Sequence, residues 1–208
     1  MSKALFFGGA FNPPTIAHLL ASNAARLACQ AEKVIFVPSQ SHYILSTQGK
    51  DFSFSDEARL SMLRLLAKTR PWMAVSAYEL EQPSQPRTYH SLQALSQEGY
   101  ELKLLIGSDW LVNLKTSWKF VPEICKTYGI VVMSRNSQDS QAVVAADPYL
   151  KTLERYLTFV QAPALTQQVS SSAIRKALAS GTMTSDIQAM IPKELGDLRA
   201  YLPKREAL

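Results

Sequence analysis

The sequence is poor in cysteine and histidine, in runs of like charge and in long apolar stretches. Each shortage closes off a class of protein. Among 208 residues only Cys29 and Cys125 are cysteines, so no disulfide framework can be built from close spacings. Both fall in apolar helical patterns and read as free, partly buried thiols in a reducing compartment. The three histidines His18, His42 and His90 are well separated, and with two distant cysteines they give no zinc-ligand spacing. No block of five or more like charges occurs, and the net charge of +5 is scattered. A surface of that kind can attract polyanions but lacks the dense patch of a nucleic-acid footprint. No apolar stretch approaches a membrane span. Ala4–Phe7, entered from the single Lys3 and ending in Gly8–Gly9, is too short for the apolar region of a signal peptide. The expectation is a cytoplasmic protein that partners neither membrane nor nucleic acid.

What is present is ordinary for a globular chain: 47% apolar and 19% charged, enough for one sizeable core. Short apolar runs alternate with longer amphipathic segments. The runs are Ala4–Phe7, Val34–Val37, Met73–Ser76, Leu102–Ile106, Ile130–Met133 and Leu157–Val160, rich in Val, Ile, Leu and Phe as buried parallel strands are. Between them, Ala17–Gln30, Asp56–Lys68, Thr88–Glu98 and Ser171–Ser180 carry helical spacing. In Asp56–Lys68 the apolar face is read as Leu60, Leu63 and Leu66–Ala67. Gly99 and Gly181 stand where helix C-caps belong. Pro38–Phe54 and Ser134–Pro148 read as long loops of the kind that often bind ligands. With no repeat and no clear linker, the expectation is one α/β domain over residues 1–208. It is a Rossmann-like, doubly wound parallel sheet with helices after Ser170 packed back on it.

Three strings could carry chemistry. The first is Gly8-Gly9-Ala10-Phe11-Asn12-Pro13-Pro14-Thr15-Ile16-Ala17-His18, at the end of the first strand. Strand ends of this kind bind ligands in α/β sheets. Two glycines let backbone approach phosphate oxygens, and the helix start adds N–H groups and a positive dipole end. Thr15 and His18, three residues apart, are expected to face one phosphate together. The string is neither a Walker A loop nor a dinucleotide fingerprint, because the required Gly-Lys-Ser/Thr and G-x-G-x-x-G spacings are missing.

The second string is Val169-Ser170-Ser171-Ser172-Ala173-Ile174-Arg175, in which Ser171 or Ser172 can N-cap a helix and Arg175 adds a fixed charge in its first turn. The third is Leu105-Ile106-Gly107-Ser108-Asp109-Trp110 with Trp118-Lys119 downstream. Asp109 can accept bonds from ribose hydroxyls or cap a helix. Trp118 offers a flat face to a ring or to a core.

Gly8–His18 resembles the signature of the nucleotidylyltransferase superfamily. Phe-Asn-Pro followed by Thr-x-x-His is similar to the nicotinamide/nicotinate mononucleotide adenylyltransferases. The serine string resembles that family's Ile-Ser-Ser-Thr-x-Ile-Arg, and Gly107–Asp109 with Trp118 resembles its strand-ending Gly-x-Asp and following Trp. Many bacterial members have His and Gly where this chain has Thr15 and Ala17, which bears on subfamily and substrate preference. Weaker correspondences fall on Thr88–Tyr89, on Arg135 after the fifth run, and on Tyr43. Relatives follow that aromatic with a phosphate-binding Lys. Here Ile44 and Leu45 follow, and Lys50 is a substitute for which the sequence gives no evidence.

The resemblance implies transfer of the adenylyl group of ATP to a pyridine mononucleotide, with Mg²⁺ carried in on the ATP and no metal site of the protein's own. It implies that His18 binds the α-phosphate with help from Thr15, that Arg175 and the Ser171–Ser172 helix start take the β,γ-phosphates, and that Ala173 and Ile174 belong to the substrate-binding residues. Gly8, Gly9, Ala10, Phe11, Asn12, Tyr43, Thr88, Gly107, Asp109, Trp118 and Arg135 would bind the substrates. A sibling transferase with another phosphate acceptor and a catalytically silent nucleotide-binding protein remain open. So do the choice between nicotinate and nicotinamide and a homo-oligomeric state.

Overall fold

The computed structural model describes residues 1–50, 52–134 and 140–202. Six strands, β1 Ser2–Gly9, β2 Lys33–Pro38, β3 Met73–Val75, β4 Tyr100–Gly107, β5 Ile130–Ser134 and β6 Leu157–Gln161, form one sheet in the order β3-β2-β1-β4-β5-β6. Every pairing is parallel. Each of the six apolar runs read from the sequence marks one strand. They run unbroken because both sheet faces are covered: β5 is buried along its whole length.

The helices are α1 Ile16–Ala28, α2 Ser41–Ser46, α3 Asp56–Ala67, α4 Thr88–Gln97, α5 Leu114–Ser117, α6 Val121–Thr127, α7 Ser140–Ala146, α8 Pro148–Leu153, α9 Ser171–Ser180 and α10 Ser185–Gln188. Alternation along β1 divides the core. Leu5 packs with Leu19 of α1, Leu63 of α3 and Ile174 of α9. Ala4 and Phe6 pack on the other face with Leu92 of α4 and Ile124 of α6. Ile191, Leu195 and Leu198 bring the segment after α9 into the first of these clusters, as expected from the sequence.

Three details differ from the sequence reading. The stretch from Pro38 to Phe54 holds α2, and that from Ser134 to Pro148 holds α7 and the first residue of α8. Helices of one or two turns carry too few residues to display a period. The buried face of α3 is Arg59, Met62, Leu63 and Leu66 rather than one through Leu60. A charged residue at a core position hid the frame.

The strand order reverses between β1 and β4, and it is beyond the carboxyl ends at such a switch point that open α/β sheets bind ligands. Gly8–Gly9 and Gly107 close those two strands. The first and third strings therefore meet at the same rim.

Candidate active site

The site starts with His18. α1 begins at Ile16 with Thr15 as N-cap, which makes His18 its third residue. From there the imidazole reaches back: the Thr15 N–H donates to Nδ1 at 3.1 Å, and Thr15 Oγ1 lies 2.7 Å from the same nitrogen. A nitrogen that accepts a backbone N–H carries no proton, which assigns the ring proton to Nε2. The ring is further held edge-to-face on Phe11 at 5.3 Å between centroids. Thr15 itself is buried, 1% exposed. It therefore does not face outward beside His18, as the three-residue spacing suggested; its hydroxyl is spent on orienting the imidazole.

The Gly8–Asn12 segment turns sharply at Phe11, whose φ of 43° sends the ring into the core between Phe7 and Phe36. Phe11 and Asn12 are both buried, so neither side chain lines an open surface. The Asn12 amide bridges to the neighbouring segment, donating from Nδ2 to the Phe52 carbonyl at 2.7 Å and accepting the Phe54 N–H at 3.0 Å. Gly9 packs closely: a Cβ there would sit 3.3 Å from the Phe11 ring, which would have to give by a few tenths of an ångström.

The carboxyl-terminal string docks on this loop. Arg175 Nη1 donates to the Asn12 carbonyl at 2.8 Å and Nη2 to Ser172 Oγ at 3.1 Å. Ser171 Oγ donates to the Pro13 carbonyl at 3.0 Å. The N-cap of α9 is Ser170, whose hydroxyl accepts the Ala173 N–H, so the cap lies one residue earlier than Ser171 or Ser172. Ile174 is buried in the core and its N–H donates to the Ser170 carbonyl at 3.2 Å, so with the Ala173 N–H already on the Ser170 hydroxyl these two residues have no donor left for a ligand.

Sequence reasoning missed Arg59. Among the described residues it is the largest fully buried side chain, and each of its guanidinium nitrogens donates a hydrogen bond. It donates to the carbonyls of Ala10 at 2.7 Å and Phe54 at 3.2 Å, to the Ser39 carbonyl, and to Asp56 Oδ1 at 2.6 Å. Asp56 in turn accepts the Ser41 N–H and hydroxyl. One buried cation thus fixes the ends of β1 and β2 and the starts of α2 and α3. Lys50 lies close by. Burial, followed by the charges of Arg175 and Arg59, holds its amine below the usual lysine range. Three cations therefore gather around residues 10–13, with Asp56 compensating one.

At the other rim, Asp109 is exposed at the start of a 3₁₀ segment, Ser108–Asn113. A Cβ on Gly107 would stand 2.3 Å from Asp109 Oδ1, so only glycine lets the carboxylate fold back over the strand end. Trp118 is half-buried and meets the exposed Trp110 edge-to-face at 5.9 Å. Trp110 was passed over because it reads as one more apolar residue of a helical turn. Thr88 opens α4, and its neighbour Tyr89 stacks on Phe120 at 5.3 Å. Tyr43 is half-exposed on α2. His42 and His90 are exposed. Arg135 lies outside the described residues.

Comparison with known proteins adds the following. Residues 6–177 match the Cytidylyltransferase-like family. A protein of Roseiflexus sp. named probable nicotinate-nucleotide adenylyltransferase is 31% identical over 175 residues, 84% of each chain. The Arabidopsis thaliana nicotinamide/nicotinic acid mononucleotide adenylyltransferase is 27% identical, over 83% of this chain and 78% of that one. Among solved structures, the Plasmodium falciparum nicotinic acid mononucleotide adenylyltransferase complexed with APC superposes with a TM-score of 0.73 at 16% identity. It covers 97% of this chain and 96% of its own.

Proposed function

The chain belongs to the Cytidylyltransferase-like family, and we propose that it transfers the adenylyl group of ATP to nicotinate or nicotinamide mononucleotide, forming the dinucleotide and releasing pyrophosphate. The observation that carries this reading is the meeting of two phosphate-binding strings. Arg175 is docked on the Asn12 carbonyl of the loop that leads into His18. Relatives that match over most of their length are named for the same reaction.

In this reading a 5′-phosphate oxygen of the mononucleotide attacks the α-phosphorus of MgATP in line. The bond from that phosphorus to the oxygen bridging to the β-phosphate breaks, and pyrophosphate departs. The attacking oxygen is already anionic, so no general base is required. Catalysis is positioning plus stabilisation of negative charge. His18 donates from Nε2–H to an α-phosphate oxygen, and Thr15 keeps it aimed. The backbone of Gly8, Gly9 and Ala10 lets the phosphates approach. Arg175, the Ser172 hydroxyl and the N–H groups of Ser171 and Ser172 at the start of α9 hold the β,γ-phosphates. Lys50 takes the role left open by Ile44 and Leu45, because crowding by two arginines is relieved when a polyphosphate arrives. Arg135 is assigned to the same phosphates from its place after β5. Gly107 and Asp109 hold a ribose, and Thr88, Tyr43 and Trp118 hold the pyridine side. Mg²⁺ enters as part of the substrate.

The test is pyrophosphate release with MgATP across a panel of acceptors: the two pyridine mononucleotides, phosphopantetheine, and a cytidylyl acceptor paired with CTP. Turnover with a pyridine mononucleotide supports the proposal. Turnover only with another acceptor moves the chain to a sibling activity. Nucleotide binding with no release makes it a silent binder.

A further inference from the structure

Glu79 lies between β3 and α4, is 4% exposed, and takes no part in the reaction above. One carboxylate oxygen accepts the Ser91 hydroxyl at 2.7 Å, the other the Gln85 amide at 2.5 Å. Gln85 Oε1 then accepts the backbone N–H of Gln40 at 2.8 Å. The Gln40 side chain returns to the carbonyls of Glu79 and Gln82 at 3.0 and 2.7 Å. Gln40 is the residue from which α2 starts, and Ser91 lies in the first turn of α4. These are the helices that carry Tyr43 and Thr88. The beginning of α4 is also pinned to the segment after Trp118 by the Tyr89–Phe120 stack.

An apolar residue would fill this position at lower cost, since burying a carboxylate is unfavourable unless it is fully bonded. Burial raises the Glu79 carboxyl to about 7, against the pull of Ser91 and Gln85. What the carboxylate supplies and a leucine cannot is two directed bonds, one toward each helix.

Resting on the reading of this rim as the mononucleotide side, we propose that Glu79 is a positioning residue for the pyridine mononucleotide, setting the spacing of α2 and α4 without touching substrate. Glu79→Gln keeps an acceptor for Ser91 but sets one amide NH₂ against that of Gln85. Steady-state kinetics of Glu79→Gln should show the KM for the mononucleotide raised about five- to thirty-fold, the scale of one or two lost buried bonds. The KM for MgATP and kcat should stay within about twofold of wild type. The exchange Glu79→Gln with Gln85→Glu restores each donor–acceptor pair and should recover the KM.

If Glu79→Gln does not fold, Ser91→Ala, which removes one donor and leaves Glu79 in place, carries the test in the same direction. An unchanged mononucleotide KM in a folded variant, both KM values moving together, or loss of folding in both variants overturns the proposal. Wild type inactive with every pyridine mononucleotide rejects the functional reading and this proposal with it. Wild type active with an unmoved KM in the variant rejects the role of Glu79 alone.

Discussion

The guanidinium of Arg175 donates to the main-chain carbonyl of Asn12 at 2.8 Å across 163 residues of chain. The start of α9 and the loop after β1 thus form one unit, and in the proposed reaction a phosphate held by one is presented to the other. Arg175→Ala should raise the KM for MgATP roughly ten- to hundredfold, the scale of a charged hydrogen bond, with a smaller effect on the mononucleotide. Lys50→Gln should move the same constant in the same direction. Initial-rate kinetics with each substrate varied in turn checks both, and an effect confined to the mononucleotide would put these cations on the wrong ligand.

Arg59 predicts a different outcome, because it holds the frame and ties together three separate segments, after β1, after β2 and at the start of α3. Arg59→Met leaves the Ala10 and Ser39 carbonyls without their donor and Asp56 without its cation. Stability should fall by about 2–4 kcal/mol, the scale of two buried carbonyls left without a donor, with little added by the half-exposed Asp56. Urea denaturation reads this directly, and a loss under about 1 kcal/mol would mean that water replaces the guanidinium.

Trp118 is the proposed face for the pyridine ring. Stacking does not separate a carboxylate from an amide, so both mononucleotides should be used, and Trp118→Ala should weaken both by about 1–2 kcal/mol. Kinetics on the two acceptors decides this. Absolute selectivity in wild type, or unchanged KM values in the variant, would remove Trp118 from the pyridine side. Trp110, at 5.9 Å, is then the aromatic to test.

Glu79 makes stability depend on pH in a definite direction. Its carboxyl rises from 4.5 to about 7 on folding, chiefly through burial. Below the lower value both states hold the proton, and the contribution to stability is complete. As pH rises the unfolded chain ionises first, so stability falls until the folded carboxyl has titrated as well. Between about pH 5 and about pH 8 the Tm of wild type should therefore fall more than that of Glu79→Gln. Parallel curves for the two proteins would contradict the assignment.

Much of this molecule is legible in one dimension. Val34–Val37 and Ile130–Met133 announce strands inside the sheet because a doubly covered sheet needs unbroken apolar runs. The Gly-Gly loop, the serine string and Gly107 can be read because close approach to backbone restricts residue type locally. Arg59 and Glu79 were not legible. Each is a charged residue whose partners lie on other elements, such as Ala10 and Ser39 for one and Gln40 through Gln85 for the other. Nothing in the neighbouring sequence says that such a charge will be satisfied inside. Thr15 was legible as a partner of His18 but not in its sense, because helix spacing puts two residues on one side without saying which is buried.

The fate of the α-phosphorus tests the proposed transfer most directly. ATP labelled there, mixed with nicotinate or nicotinamide mononucleotide in a single turnover, should give label in the dinucleotide and one pyrophosphate for each transfer. In the proposed mechanism the His18 Nε2–H donates in that step, so His18→Ala should slow the transfer by roughly 10²–10³-fold, with substrate affinity and Tm little changed. Label recovered in AMP, or a His18→Ala protein that transfers at the wild-type rate, would contradict the account.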